Sequence, residues 1–181
     1  MHASPKLIEL IKSEALQTGT FTLASGATAN YYLDCRNLTL HPQGSVEVGS
    51  VMLSLIEQRG LPDAVGGMAL GADPITASIV TQAGQKDLPL RGFMVRKEPK
   101  GHGTGKQVEG PVKPGEKVVI VEDVITSGGS AIKAVEAVRK FGLEVDTVVA
   151  IVDRLAGGRE AFEAVGIELI ALCDVKDLGV A

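Results

Sequence analysis

Aromatic side chains are scarce in this sequence, and Trp is absent altogether. Phe, Tyr and Trp together make up 3% of the 181 residues, whereas apolar residues of all kinds make up 45%. The core must therefore be aliphatic, which favours parallel strands that are buried on both faces. A chain of this length suits one domain with a complete hydrophobic core, so we expect a single domain over residues 1–181.

Further absences exclude other classes of protein. The formal net charge is −4, which argues against a general nucleic-acid surface. The two cysteines, Cys35 and Cys173, lie far apart and match no metal-binding spacing, so we expect two small buried side chains and no disulfide. No apolar run approaches the ~20 residues that span a bilayer, and the N-terminus has no run of signal-peptide type. The sequence therefore predicts a cytoplasmic protein that does not span a membrane.

Strands and helices are predicted to alternate along most of the chain. Ser4-Pro5 opens a helix that closes at Gly19, and residues 21–34 predict two short strands around a turn at Ser25-Gly26. Apolar patterns then predict helices at about 43–59, 73–83, 132–138 and 159–165, and strands at 64–67, 91–95, 118–121, 146–152 and 167–172. Such alternation predicts an α/β fold with a mostly parallel sheet and helices on both faces.

Residues 118–131 combine local patterns that suit a sugar phosphate. Four apolar residues lead into two adjacent carboxylates, Glu122 and Asp123, and a turn of small residues, Thr126–Ser130, precedes an amphipathic segment. We interpret this as a strand, a turn and the start of a helix, whose N-terminal N–H groups favour a phosphate. The carboxylates repel a phosphate and suit ribose hydroxyls or a metal ion instead. The alternative is that the two carboxylates simply face solvent or cap the turn. We favour a binding site, because open parallel sheets bind ligands at the carboxyl ends of their strands.

Residues 96–110 interrupt the alternation, because they have no apolar period and contain four glycines. Between Arg96 and Lys106, four basic residues stand against one acid, Glu98, and His102 lies in the middle. One interpretation is a solvated hairpin tip. We favour a mobile lid, because the glycines permit movement and the charge is opposite to that of a diphosphate.

Three segments resemble a known enzyme family. Residues 118–131 look like the phosphoribosyl diphosphate (PRPP) signature of the type I phosphoribosyltransferases. The Arg-Lys-x-x-Lys-x-His spacing of residues 96–102 resembles the mobile loop of orotate phosphoribosyltransferases, and residues 21–26 with 31–34 resemble their N-terminal hood. The resemblance covers nearly the whole chain. It implies the type I phosphoribosyltransferase fold, a central mostly parallel sheet flanked by helices, with a small hood over about 1–40 and a mobile loop over about 96–110.

The resemblance also implies which residues bind PRPP. Glu122 and Asp123 would bind the ribose hydroxyls, Thr126–Ser130 would cradle the 5-phosphate, and the loop would close over the diphosphate. The full implied set is Arg96, Lys97, Lys100, His102, Glu122, Asp123, Val124, Ile125, Thr126, Ser127, Gly128, Gly129 and Ser130. Lys97, His102 and Asp123 are the implied catalytic residues, and His102 would donate a hydrogen bond or a proton to the leaving diphosphate.

For the base, the resemblance implies that Arg154 pairs with the carboxylate of orotate and that Thr126 lies near it. The alternative for Arg154 is a surface ion pair with Asp153. The implied reaction transfers phosphoribosyl from PRPP to orotate and gives orotidine 5′-monophosphate and diphosphate, a step of de novo pyrimidine biosynthesis. Mg²⁺ is the implied cofactor, held mainly by substrate and water rather than by a protein cage. A homodimer is also implied, in which each mobile loop completes the neighbouring active site.

The sequence departs from the family pattern at three places. Many orotate enzymes have lysines in the hood, where this chain has Ala24 and Ala27, and in the loop after the strand at 64–67, where it has Gly71. A basic contact is therefore missing or is replaced by backbone N–H groups. Two alternatives stay open. One is transfer to another nucleobase, since a purine needs no carboxylate partner, and the other is a PRPP-binding regulator without catalysis.

Overall fold

The computed structural model describes residues 2–22, 28–98 and 106–180 of the chain. The strands are β1 (Leu16–Thr22), β2 (Thr28–Leu33), β3 (Ala64–Met68), β4 (Arg91–Val95), β5 (Val108–Glu109), β6 (Lys117–Ile125), β7 (Glu144–Asp153) and β8 (Glu168–Asp174). The helices are α1 (Pro5–Leu10), α2 (Arg36–Thr39), α3 (Pro42–Arg59), α4 (Ala72–Gln85), α5 (Gly129–Phe141), α6 (Gly158–Glu163) and α7 (Val175–Leu178). A π-helical turn, Ile11–Ala15, follows α1.

Six strands form one sheet in the order β5-β4-β3-β6-β7-β8. Strands β3, β4, β6, β7 and β8 are parallel, and β5 runs antiparallel to β4 at the edge. The predicted α/β fold with a mostly parallel sheet is thus confirmed. In the register of β6 and β7, Ile125 pairs with Asp153, so the two strands end at the same edge. The residues that follow these strands therefore lie side by side.

Helices cover both faces of the sheet over an aliphatic core. On one face Val121 and Ile151 pack with α1, α3, α4 and α7. On the other face Ile120 and Val148 pack with α5 and α6. Successive strand residues point to opposite faces, which is why neighbours such as Ile120 and Val121 enter different layers. Both cysteines are buried, as the sequence predicts.

A separate antiparallel pair, β1 and β2, forms the N-terminal hood. Ser4 caps α1 as predicted, because its Oγ accepts a hydrogen bond from Leu7 N at 3.0 Å. The predicted continuation of this helix to Gly19 is wrong, since β1 already begins at Leu16. Leu16 lies opposite Leu33 in the hood sheet. Pairing with β2 thus outweighs the local preference for helix.

Three other features differ from the sequence prediction. Strand β6 runs to Ile125, so Glu122 and Asp123, which we call the acid pair, lie inside the strand and not beyond its end. Strand β5 lies within the segment 96–110 and pairs with the end of β4. The short helices α2 and α7 were not predicted. None of the helices in the described part of the chain is long and apolar enough to cross a membrane.

Candidate active site

Glu122 is almost fully buried near the carboxyl edge of the sheet. The residue is 5% exposed, and its Oε2 has no hydrogen-bond partner among the described residues. Burial and, second, the negative charge of Asp123 raise the pKa of Glu122 to about 8. Glu122 is therefore mostly protonated at neutral pH in the chain without ligand.

Asp123 is half-buried and faces the loop between β3 and α4. Its Oδ1 accepts a hydrogen bond from Val124 N at 2.8 Å. A Cβ at Gly71 would lie 3.2 Å from both Cγ and Oδ1 of Asp123. Gly71, one of the positions where the sequence departs from the pattern that the resemblance implies, thus directly faces Asp123. Because Gly71 has no side chain, the main chain of this loop approaches the carboxylate.

Val124 and Ile125 connect the acid pair to the turn that follows. Val124 packs against the core layer that contains α3 and α4, and Ile125 is buried in the opposite layer. The Ile125 carbonyl accepts a hydrogen bond from Arg154 N at 2.8 Å. These two residues therefore fix the end of β6 and join it to the end of β7.

The turn between β6 and α5 opens toward solvent. Within Thr126–Ser130, Gly128 alone is buried, and its φ of +79° lies in the left-handed region that favours glycine. Its carbonyl accepts a hydrogen bond from Ile132 N at 2.9 Å. Helix α5 has 13 residues, so its dipole and its first N–H groups are directed at this turn. The turn is therefore suited to a phosphate.

Two residues outside the predicted site support this turn. A Cβ at Gly158 would lie 2.9 Å from Thr126 O and would collide with the Ile125 side chain. The Phe162 ring packs below Gly128, where a Cβ would lie 3.1 Å from the ring. Sequence reasoning missed both residues. The pair of glycines at the start of α6 was the available signal, because close backbone approach favours glycine.

Arg154 lies beside the turn Thr126–Ser130, which we call the phosphate turn, and its side chain is held by the hood. Its N donates to Ile125 O, and its Nε donates to Tyr31 Oη at 3.0 Å. The guanidinium carbon also lies 4.9 Å from the centroid of the Tyr31 ring. The structure therefore brings Arg154 together with the phosphate turn and adds Tyr31, whereas the role of Arg154 toward orotate stays a prediction.

The Asp153 carboxylate accepts hydrogen bonds from Leu155 and Arg159, whereas the alternative interpretation of Arg154 requires an ion pair between Arg154 and Asp153. Asp153 is 1% exposed, and its Oδ1 accepts a hydrogen bond from Leu155 N at 2.8 Å. Its Oδ2 accepts from Arg159 Nη2 at 3.5 Å. The charge of Asp153 is thus balanced by Arg159, while the Arg154 side chain is turned to the hood.

Arg36 is a cation near the acid pair that sequence reasoning also missed. It donates two side-chain hydrogen bonds to the Asp34 carboxylate, from Nε at 2.8 Å and from Nη2 at 2.7 Å. These bonds raise the pKa of Arg36, and the charge of Asp123 adds a smaller contribution in the same direction. Helix α2, which follows β2, thus supplies a positive group near Asp123, and this group is paired with Asp34.

The predicted loop residues are only partly within the described structure. Arg96 lies at the end of β4, where its Nε is 3.2 Å from the Glu109 Oε1 of β5. Lys97 is exposed. Lys100 and His102 lie outside the described residues, as do Ala24 and Ala27 of the hood. The roles assigned to the loop therefore stay predictions.

Comparison with known proteins gives the class of protein. The family model for the phosphoribosyl transferase domain matches residues 35–170. Orotate phosphoribosyltransferase of Rhodopirellula baltica is 66% identical over 178 residues, which cover 96% of this chain and 92% of that protein. The protein of the same name from Aquifex aeolicus is 46% identical over 176 residues, which cover 96% of each chain.

Solved structures give the same result. Orotate phosphoribosyltransferase of Mycobacterium tuberculosis H37Rv in complex with PRPP matches with a TM-score of 0.80 at 36% identity, covering 96% of this chain and 97% of that chain. The sheet order, the acid pair and the phosphate turn, together with these matches, define a phosphoribosyltransferase. More specifically, the chain belongs to the orotate phosphoribosyltransferase family. The resemblance noted in the sequence is confirmed for both family and fold.

Proposed function

We propose that this chain transfers the 5-phosphoribosyl group from PRPP to orotate and forms orotidine 5′-monophosphate and diphosphate, a step of de novo pyrimidine biosynthesis. One observation carries the proposal: the hydrogen bond from Arg154 N to Ile125 O joins the phosphate turn to the arginine at one edge of the sheet. A sugar phosphate and a base with a carboxylate can thus bind side by side. Ligands of open α/β sheets bind at this edge.

PRPP binds between the acid pair and the start of α5 in this proposal. Glu122 and Asp123 face the ribose hydroxyls, which donate to the carboxylate of Asp123 and to the carboxyl oxygen of Glu122, and the unpartnered Glu122 Oε2 supports this role. The exposed residues of Thr126–Ser130 offer hydroxyls and N–H groups to the 5-phosphate.

Orotate binds next to Thr126, with its carboxylate on Arg154. A guanidinium can donate two parallel hydrogen bonds to a planar carboxylate, which adds geometric selection to charge. A purine has no carboxylate and leaves this arginine without its partner. The side chain of Arg154 is held by Tyr31 rather than by Asp153, which supports its availability to the base.

Catalysis rests on positioning and on stabilisation of the leaving group. As the base nitrogen displaces diphosphate, the anomeric carbon gains positive character and the diphosphate gains negative charge. Lys97, Lys100 and His102 of the loop are proposed to close over the diphosphate and balance that charge, with Arg96 at the base of the loop. Closure also excludes water, which would otherwise attack the sugar. Asp123 is the proposed carboxylate beside the ribose.

Mg²⁺ is the proposed cofactor, and the residues present fit a metal held mainly by substrate and water. Within the described ranges, no three His, Cys, Asp or Glu side chains are grouped so that they could hold a metal ion. The half-buried Asp123 and the orphaned Glu122 oxygen suit contacts to metal-bound water or ribose. When bound, the ion neutralises the charge of the diphosphate.

A homodimer is also proposed, with each loop completing the neighbouring site. Large apolar side chains are exposed near the start of α4: Leu40 is 73%, Val46 60% and Leu70 77% exposed. Leu70 directly precedes Gly71, which faces Asp123. A second copy seated on this surface would bury these side chains next to the active site. The cytoplasmic location and the single domain over 1–181 are proposed on sequence grounds.

The test is a direct assay with PRPP, Mg²⁺ and orotate, followed by the loss of orotate absorbance. Adenine, hypoxanthine, xanthine and uracil are run in parallel, with products separated by chromatography. Turnover confined to orotate is expected. Turnover of another base would assign a different base specificity, and PRPP binding without turnover of any base would indicate a regulator.

A matched variant is Arg154→Lys, which keeps the positive charge and removes the bidentate hydrogen bonding of the guanidinium. Its Michaelis constant for orotate is expected to rise about tenfold or more, because one of two charge-assisted hydrogen bonds is lost. Its Michaelis constant for PRPP is expected to stay within about twofold of the parent value. An unchanged constant for orotate would remove Arg154 from the proposed base site.

A further inference from the structure

Tyr31 contacts the Arg154 side chain in two ways. Its hydroxyl accepts the hydrogen bond from Nε at 3.0 Å, and its ring lies 4.9 Å from the guanidinium carbon. An arginine over an aromatic ring gains an electrostatic attraction in addition to the hydrogen bond. The two residues are 123 positions apart in the sequence. The contact therefore forms only when the hood packs on the carboxyl edge of the sheet.

The main chain of Arg154 is fixed independently of this contact. Its N donates to Ile125 O at 2.8 Å, and Asp153 Oδ1 accepts from Leu155 N at 2.8 Å just beyond it. The end of the sheet thus fixes the main-chain position of Arg154. Because the side chain is long and flexible, its direction needs a second constraint, and Tyr31 provides one.

The hydrogen bond at Nε decides which donors of Arg154 face a ligand. A guanidinium can bind a carboxylate through Nε and one Nη nitrogen, or through both Nη nitrogens. Tyr31 occupies Nε, so the two Nη nitrogens are left as the pair of donors that can bind a carboxylate. The orientation of a bound carboxylate then follows from the position of Tyr31.

Tyr31 is itself well placed to act as a fixed support. It lies in β2 opposite Thr18 of β1, and its ring packs partly against the hydrophobic core. The next residue, Tyr32, lies on the other face of the strand, where its ring centroid is 5.8 Å from that of Phe21. The alternation along β2 thus gives the two tyrosines different surroundings.

We infer that Tyr31 is a positioning residue that sets the specificity of the site for a base with a carboxylate, by holding Arg154 with its two Nη nitrogens toward the base. The inference rests on the proposed function. It assigns to the hood a role in base selection that is separate from any contact of its own with the substrate.

The test is Tyr31→Phe, which removes the hydroxyl and keeps the ring and its packing. The Michaelis constant for orotate is expected to rise about tenfold or more, as for loss of one hydrogen bond to a charged group, while the constant for PRPP changes by less than about twofold. Tyr32→Phe is the matched control, since it removes a hydroxyl from the neighbouring tyrosine. Its constant for orotate is expected to stay close to that of the parent.

A double variant shows whether Tyr31 acts through Arg154. Tyr31→Phe introduced into Arg154→Ala is expected to change kcat/KM for orotate by less than about twofold, because the group that Tyr31 positions is gone. Equal and additive losses in the two backgrounds would overturn the inference, as would an unchanged orotate constant in Tyr31→Phe. Lack of orotate turnover by the parent chain would instead overturn the proposed function.

Discussion

At the scale of single residues, Glu122 lowers stability in a way that its proposed contact with a ligand would explain. Its carboxyl is buried beside Asp123, and its Oε2 has no partner among the described residues. A buried polar group without a partner lowers stability. Such a group at the edge of a parallel sheet is explained if a ligand supplies the missing hydrogen bond.

The raised pKa of Glu122 predicts how stability depends on pH. In the unfolded chain this group loses its proton near the ordinary value of 4.5, whereas in the folded chain it keeps the proton up to about 8. Between these values the folded state binds more protons, so this group makes the free energy of unfolding fall as the pH rises, with a plateau above about 8. Glu122→Gln is expected to remove this decline, an effect on the order of a few kcal/mol.

Urea unfolding of the chain without ligand at pH 5, 6.5 and 8 measures the effect. Glu9→Gln is the control, because it removes the same charge at an exposed position of α1. Parallel pH profiles for the parent and Glu122→Gln would show that Glu122 titrates at an ordinary pKa in the folded chain.

At the scale of elements, the phosphate turn depends on helix α6 as much as on β6 and α5. Gly158 at the start of α6 lies against Thr126 O, and Phe162 of the same helix lies against Gly128. Helix α6 thus packs against the turn, although it contributes no group to the proposed binding site. A change in α6 therefore reaches the phosphate site through packing.

Gly158→Ala tests this dependence. The added Cβ would meet the Ile125 side chain and Thr126 O, so the turn must shift. The free energy of unfolding is expected to fall by about 1–3 kcal/mol, as for overpacking, and the Michaelis constant for PRPP is expected to rise. Gly84→Ala in α4 is the control, since a Cβ there meets nothing within 4 Å. A fully stable Gly158→Ala variant with unchanged PRPP kinetics would contradict this role of α6.

At the scale of the whole molecule, the proposed site has three sources. The sheet contributes the acid pair and the phosphate turn, the hood contributes Tyr31, which holds Arg154, and the loop of a second copy is proposed to complete it. The exposed Leu40, Val46 and Leu70 mark where the second copy would pack. The monomer would then contain an incomplete site.

Hybrid dimers test this arrangement. Lys97→Ala and Arg154→Ala are each expected to be nearly inactive alone, because each lacks one half of every site. When equal amounts are mixed under conditions that exchange subunits, half of the dimers are hybrids with one intact site, so about a quarter of the parent activity is expected. Mixtures that stay as inactive as either variant would show that Lys97 acts within its own subunit.

Elements and groups that are encoded within short segments could be predicted from the sequence alone. Apolar runs and periodicity located the five parallel strands of the main sheet, and the adjacency of Glu122, Asp123 and Thr126–Ser130 predicted the sugar-phosphate half of the proposed site. The start of α1 at Ser4-Pro5 was also predictable, because a cap acts over a few residues. These features depend on neighbours in the chain, which a sequence displays directly.

Contacts between distant segments depend on the folded molecule and could not be predicted from the sequence. Tyr31 meets Arg154, Gly71 faces Asp123, and strand pairing rather than helix propensity governs the chain from Leu16. No local pattern marks these contacts, because each depends on strand register and on how the hood, loops and helices pack at one edge of the sheet. That packing is set by burial of the whole aliphatic core, a property of the folded chain and not of any one segment.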